Sequence, residues 1–415
     1  MKTWITYLAA FFLALATALL TGDFSWSYTV FSTAATIAVS FASLLAVLMV
    51  LISLTGAVAS LRKDRAGGKV VKWSLLWGIV CTILLPVLTA LLSAVFPHTF
   101  PVSSTAGIGT VQENYVPYVF ANNWNLLFSG NIASVFSNAT SLMLPLILFA
   151  FIAGCALKPD ADVIKPAYIT VNSFSEVLYR LARAISTFGY VFAYITSTLL
   201  FINIYQEKTF FVDANFSLCL IIIPAVFSLI ILPVLFEIFT KGKRNPYKIL
   251  YRNIAVQITA FSSGSYIVSM PYIMAGERSN DGVQKRIAGS TTSLFYIMGR
   301  GGSAAVSAFA VIGILNNVTA APVSLENSLI IALVCALCSF AGCFAGSGME
   351  VMFITIASLK LLNINVYSAE LTILGILPLV SGLAALIDSQ IALLGASICS
   401  NKTGTEVIPP YGDII

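Results

Sequence analysis

Ser293-Leu-Phe-Tyr-Ile-Met-Gly299-Arg300-Gly301-Gly302-Ser303-Ala-Ala-Val-Ser-Ala-Phe-Ala-Val-Ile312 is the stretch on which the reading of this chain turns. A single arginine stands in an otherwise uncharged apolar run. A guanidinium at membrane depth is costly, and it persists only where it faces a partner or a wet cavity. Gly299, Gly301 and Gly302 crowd around it, so the helix is expected to break there and free backbone groups to line a site. A broken membrane helix with a charge at its break points to a solute or ion site.

The flanking sequence supports a membrane setting. Of 415 residues, 58% are hydrophobic and only 9% are charged, too few to furnish the surface of a soluble domain. Apolar runs cover nearly the whole length, which implies one multi-span domain. The net charge of +5 does not suggest nucleic acid, because the basic residues fall in short loops between spans, where they report orientation. Cys81, Cys155, Cys219, Cys335, Cys338, Cys343 and Cys399 all lie in apolar runs. They read as packing residues, and neither a metal site nor a cofactor is expected. The one histidine, His98, lies beside Pro97 and Pro101 and reads as a loop residue. The opening run from Trp4 to Leu20 reads as a first span, since no small-residue cleavage site leads from it into a soluble domain.

Spans of roughly 20 apolar residues are expected at 4–22, 28–60, 70–96, a broken region from 117 to 156, 173–204, 215–240, 283–315 and 369–400. The second is long enough to imply tilt. Two further segments, 250–275 and 325–362, are apolar but interrupted by small polar residues: Ser262-Ser263-Gly264-Ser265 in one, Ala345-Gly346-Ser347-Gly348 in the other. Each fits a re-entrant helical hairpin whose exposed backbone faces protein or water; each also fits an ordinary span with small residues for close packing. Loop charge favours the hairpin for the first. Arg62, Lys63, Arg65, Lys69, Lys72, Lys158 and Lys165 mark one side. Lys241, Lys243, Arg244, Lys248 and Arg252 precede 250–275, and Arg278, Lys285 and Arg286 follow it. The loops of the other side, 97–116, 205–214 and 316–326, contain one lysine, Lys208, and no arginine. By the positive-inside rule both termini and the basic loops are cytoplasmic, and this requires 250–275 to return to the side it left.

This layout resembles the dicarboxylate/amino acid:cation symporter family, the glutamate-transporter fold. Local sequence carries the resemblance over almost the full length. Phe41-Ala-Ser-Leu-Leu-Ala-Val-Leu, Asn138-Ala-Thr-Ser-Leu-Met-Leu-Pro through Gly154, Thr259-Ala-Phe-Ser-Ser-Gly-Ser-Tyr-Ile-Val-Ser-Met-Pro271 and the closing Asn401-Lys-Thr-Gly-Thr-Glu406 are similar to family segments in the same order. The resemblance implies an all-α polytopic membrane protein: eight transmembrane helices, two re-entrant hairpins, broken fourth and seventh helices, and an elevator motion. It also implies a homotrimer in the cell (inner) membrane. Its division would be 1–68 scaffold (spans one and two), 69–98 moving domain (span three), 99–209 scaffold (spans four and five) and 210–415 moving domain.

The departures from the family pattern are as informative. The seventh helix of the family breaks at asparagine-methionine-aspartate-glycine-threonine, which helps to hold sodium; here the matching run is Gly299-Arg300-Gly301-Gly302-Ser303. Trp77-Gly78 stands where the third helix carries a threonine-serine pair. Anchored on Asn401, the last helix places Ser381, Ala384, Asp388 and Ala392 where an aspartate, an arginine, an asparagine and a second aspartate are usual. A register slip would instead match Asp388 to the first aspartate and restore an amine ligand. The serine tip carries Gly264 where some members have an arginine.

Arg300 is therefore expected to stand in for a bound cation and to pair with Asp388 across the site, its rigid fork suiting a carboxylate. That pair would be a helix-to-helix bridge, a contact for an anionic solute group, or a proton-coupled site in which Asp388 titrates. The expected solute-binding set is Ser262, Ser263, Ser265, Arg300, Ser303, Gly346, Ser347, Gly348 and Asp388. Arg300, Asp388 and Glu350 are the gating or coupling candidates. Tyr266 and Ile267 are expected to narrow the pocket, and Pro271 to fix the turn into the returning helix. The function implied is secondary transport of a small organic solute, an amino acid or carboxylate, without sodium coupling. The alternative is a transport-inactive solute-binding or sensor protein on the same scaffold. No nucleophile–base pair, metal cluster or phosphate loop points to an enzyme.

Overall fold

The computed structural model describes residues 3–100, 131–139, 142–158, 161–206, 214–345, 347–364 and 369–405, and these form helices and short connections throughout. Among the described residues six helices are long and apolar enough to cross a membrane: Thr3–Thr21, Ser25–Lys63, Gly67–Val95, Asn215–Thr240, Lys285–Thr319 and Gly375–Thr403. A seventh span results if the bent pair Lys165–Phe188 and Tyr190–Gln206 counts as one. The span expected at 173–204 is built as two helices meeting at 59°. The bend forms at Gly189, where a Cβ would lie 2.2 Å from the Tyr7 hydroxyl and 2.7 Å from Tyr272. Tyr7 donates to the Ser186 carbonyl at 2.8 Å beside it. Hydropathy does not register such a bend. Of the broken fourth region, 131–139 and 142–156 are described, with helices Ile132–Ser137 and Leu144–Ala156; 117–130 lies outside the described residues.

Both interrupted segments are helix–turn–helix units. The first runs Ile254–Ser263, a turn at Gly264 and Ser265, then Tyr266–Ser279. Gly264 closes the first arm at φ +62, the left-handed conformation that favours glycine at a helix end. Ten residues of helix rise about 15 Å, half the roughly 30 Å of a bilayer core. The two ends are fastened to each other: Asn253 Nδ2 donates to Asp281 Oδ2 at 2.7 Å, Arg252 Nη1 to the Asn280 carbonyl at 3.0 Å, and Asn280 Nδ2 to the Arg252 carbonyl at 2.9 Å. The segment therefore returns to where it began. The second unit pairs Leu325–Phe340 with Glu350–Leu361, and its beginning and end line one cavity of about 480 Å³ through Ser324, Asn327, Leu362 and Ile364.

The centre of the molecule is built from Lys285–Thr319 and the last helix, Ala369–Thr403, which are buried along most of their length, whereas Thr3–Thr21 is largely exposed. Gly67–Val95 and the arms of both hairpins pack around this pair. All seven cysteines are free thiols, five of them buried. His98 is a connection residue, as expected, but a buried one: its ring stacks on Phe309 at 3.8 Å and Nε2 lies 3.0 Å from the Phe309 carbonyl.

Candidate functional site

The central helix stops being helical where the sequence indicates. Lys285–Met298 ends, Gly299 and Arg300 leave the helical conformation, and Gly301–Thr319 begins. The two glycines after Arg300 allow neighbours to approach. A Cβ on Gly301 would lie 2.8 Å from the Cys81 carbonyl, and one on Gly302 would lie 2.5 Å from the Ala384 carbonyl. The break thus sits at the meeting point of Gly67–Val95, the last helix and both halves of its own helix.

A break exposes amides at the start of the second half and carbonyls at the end of the first. Here the protein's own groups take several of them. Asp388 Oδ1 accepts from the amides of Gly302 at 2.7 Å and Ser303 at 3.3 Å, and Oδ2 accepts from the Ser303 hydroxyl at 2.6 Å. A carboxylate at a helix N-terminus also meets the positive end of the helix dipole. On the other side Arg300 Nε donates to the Tyr296 carbonyl at 2.8 Å, Thr82 Oγ1 donates to the Met298 carbonyl at 2.9 Å, and the Gly299 amide donates to the Phe295 carbonyl. Trp77 and Gly78 close the third-helix side. Trp77 Nε1 donates to the Ile391 carbonyl at 2.9 Å, and Gly78 lies so close that a Cβ would sit 2.8 Å from the Met298 carbonyl.

The expected Arg300–Asp388 pair is corrected. Arg300, 1% exposed, pairs with Glu350, 4% exposed, at 3.5 Å between Nη1 and Oε1. The physical reason is direction. The arginine side chain folds back along the first half, with its guanidinium 4.5 Å from the Tyr296 ring centre and 5.9 Å from that of Tyr266. Asp388 faces the second half, whose three donors satisfy it. Each buried charge therefore matches the end of the half-helix that it faces.

The hairpin tips meet beside the break. Ser265 and Ser347 share a hydroxyl–hydroxyl hydrogen bond, Ser381 Oγ donates to the Gly348 carbonyl at 2.9 Å, and Ser262 Oγ lies 2.8 Å from Thr196 Oγ1. Ser263 Oγ is 3.4 Å from the carbonyls of Ala260 and Ser265. Gly348, at φ +81, turns the second tip; Gly346 lies outside the described residues. Around these tips lies a cavity of about 240 Å³ whose polar lining includes Ser262, Ser263, Ser347, Ser381, Thr196 and Asn203. None of the described residues lining it is charged.

Ser262, Ser263, Ser265, Ser347 and Gly348 are thus brought together at the tips. Arg300, Ser303, Asp388 and Glu350 gather at the break, which the tips adjoin through Glu350. Tyr266 is buried beside Arg300 and donates from its hydroxyl to the Thr292 carbonyl at 3.0 Å. Pro271 is corrected: it lies inside Tyr266–Ser279, five residues beyond the start of that helix, and does not form the turn. The sequence did not single out Tyr296, although it lies one helical turn before Arg300, a spacing that places two side chains on one face. Thr196 carried no comparable signal. Among the described residues no group of three or more His, Cys, Asp or Glu side chains is placed to hold a metal ion.

The profile of the family described as "Sodium:dicarboxylate symporter family" matches residues 4–398. Over 150 residues the chain is 25% identical to the neutral amino acid transporter B(0) of Mus musculus and 26% identical to that of Homo sapiens. Each match covers 35% of this chain and about a quarter of the relative's length (26% and 27%).

Proposed function

The chain belongs to the sodium:dicarboxylate symporter family, and from that premise we propose that it is an elevator-type secondary transporter of a small organic solute that works without sodium. Family membership makes it a multi-pass membrane carrier of solutes and not an enzyme. The observation that carries the finer reading is the capping of the break by the protein's own side chains: Asp388 caps one half-helix, while Arg300 and Thr82 take carbonyls of the other. A sodium ion needs a ring of oxygen ligands. Here the Phe295, Tyr296 and Met298 carbonyls at the break have hydrogen-bond donors of the protein itself, and a guanidinium would repel the ion. Arg300 thus acts as a tethered cation in place of a mobile one.

The solute site lies between the serine-lined tips and the break, and its size suits an amino acid or a small carboxylate. The relatives that share part of the sequence are named for neutral amino acids. Residues 1–68 and 99–209 form a fixed, trimeric scaffold. Residues 69–98 and 210–415 move across the cell membrane, with both termini cytoplasmic.

Proteoliposome uptake with sodium replaced by choline tests the coupling: the expected rate is within about twofold of that in sodium, and loss of uptake in choline refutes it. Counterflow of labelled solute separates this reading from a sensor on the same scaffold. A carrier exchanges label across the bilayer; a sensor shows saturable binding with no flux.

A further inference from the structure

Two polar atoms at the break have no hydrogen-bond partner. Arg300 Nη2 and Glu350 Oε1 are both buried and neither makes a hydrogen bond. The contact between the two side chains, Nη1 to Oε1 at 3.5 Å, is well beyond the roughly 2.7–2.9 Å of a charge-assisted N–H···O bond. The guanidinium itself is firmly held, with Nε on the Tyr296 carbonyl and its face near the rings of Tyr296 and Tyr266. A fixed fork with one arm unmet is a carboxylate receptor whose present occupant fits poorly. That occupant comes from the second hairpin. Glu350 opens the returning arm, two residues beyond Gly348, and the tip cavity reaches Met349, the residue just before it.

We propose that Arg300 forms an anion subsite and that Glu350 is its tethered occupant, a carboxylate of the protein which a carboxylate-bearing solute displaces. This rests on the break being part of the solute site. The loose geometry then has a use: a bidentate pair would resist exchange, whereas half of this fork is already open. A solute carboxylate that takes Nη1 and Nη2 together replaces one anion by another, so the guanidinium stays compensated throughout. The same event detaches the returning arm of the hairpin from the broken helix. Solute capture and release of the second hairpin are one exchange reaction, with Glu350 as the competitor.

The purified full-length chain, titrated with L-lactate in sodium-free buffer, tests this by calorimetry. Glu350→Gln removes the competitor and is expected to bind lactate at least tenfold more tightly than the wild type. Glu350→Asp withdraws the carboxylate by one methylene and should fall between the two; it carries the test if the glutamine variant does not fold. Arg300→Gln should abolish binding. In the wild type, lactate should raise hydrogen exchange across residues 349–353, the reverse of ordinary ligand protection. A merely structural ion pair predicts no gain in affinity for either Glu350 variant. Unchanged or weaker binding in both, or no lactate binding by any form, overturns the proposal. The titration needs neither sodium nor transport, so a sodium requirement in uptake would refute the proposed coupling and leave this result standing.

Discussion

Asp388 accepts three hydrogen bonds at once, from Gly302, from the Ser303 amide and from the Ser303 hydroxyl, all in the interior. A buried donor left without an acceptor costs about 1–3 kcal/mol. Asp388→Ala should therefore destabilise the protein by at least about 2 kcal/mol, seen as a lower thermal midpoint in detergent. An unchanged midpoint would mean that these amides find other partners. Asp388 and Arg300 were legible in the sequence as charges in apolar runs, and both are buried. Their partners were not. Whether a long side chain folds toward the preceding turn or reaches across to another helix depends on packing, and Glu350 lies fifty positions beyond Arg300 on a separate element. Alignment to a family in which those positions hold other residue types pointed to the wrong acid for the same reason.

Each hairpin turns on a glycine. Gly264 sits at φ +62, and a Cβ there would lie 3.3 Å from Ser381 Cβ. The left-handed conformation alone costs a residue with a side chain roughly 1–2 kcal/mol. Gly264→Ala should lower the thermal midpoint and speed hydrogen exchange at the first tip before it affects the base, where Asn253, Asn280 and Asp281 are fastened. Uniform exchange along the whole hairpin would refute that order. The first hairpin was legible because basic residues flank both of its ends, a constraint that a single crossing would violate. The bend at Gly189 was not, because apolar residues continue through it and only the Tyr7 and Tyr272 side chains, distant in sequence, show why the chain has no room there. Pro271 was misplaced because a proline in a helix interior forfeits a backbone hydrogen bond and is disfavoured there, which points to the turn, whereas here it lies inside Tyr266–Ser279.

Across the whole molecule, the elements proposed to move and those proposed to stay are joined at one end by charges. Arg278 Nη2 lies 2.9 Å from Glu176, Lys285 Nζ lies 3.7 Å from the same carboxylate, and Arg286 contacts Asp64. These side chains are partly exposed, so each pair contributes only about 0–1 kcal/mol. An elevator stroke would have to part them all. Glu176→Gln should therefore raise the counterflow rate, by up to roughly fivefold if about 1 kcal/mol of the barrier lies there; an unaltered rate would place the barrier elsewhere. Asp64 is the C-cap residue that follows the 39-residue helix Ser25–Lys63. Such a helix extends about 58 Å, and even at a steep 40° lean it covers about 45 Å of depth against a hydrocarbon core of roughly 30 Å. Its cationic foot, Arg62, Lys63 and Arg65, would thus stand at the level of phospholipid headgroups. Under the proposed elevator motion leaflet composition would act as a tuning screw: anionic lipids would compete with Asp64 for nearby cations such as Arg286 and so bear on a contact that the stroke would have to part.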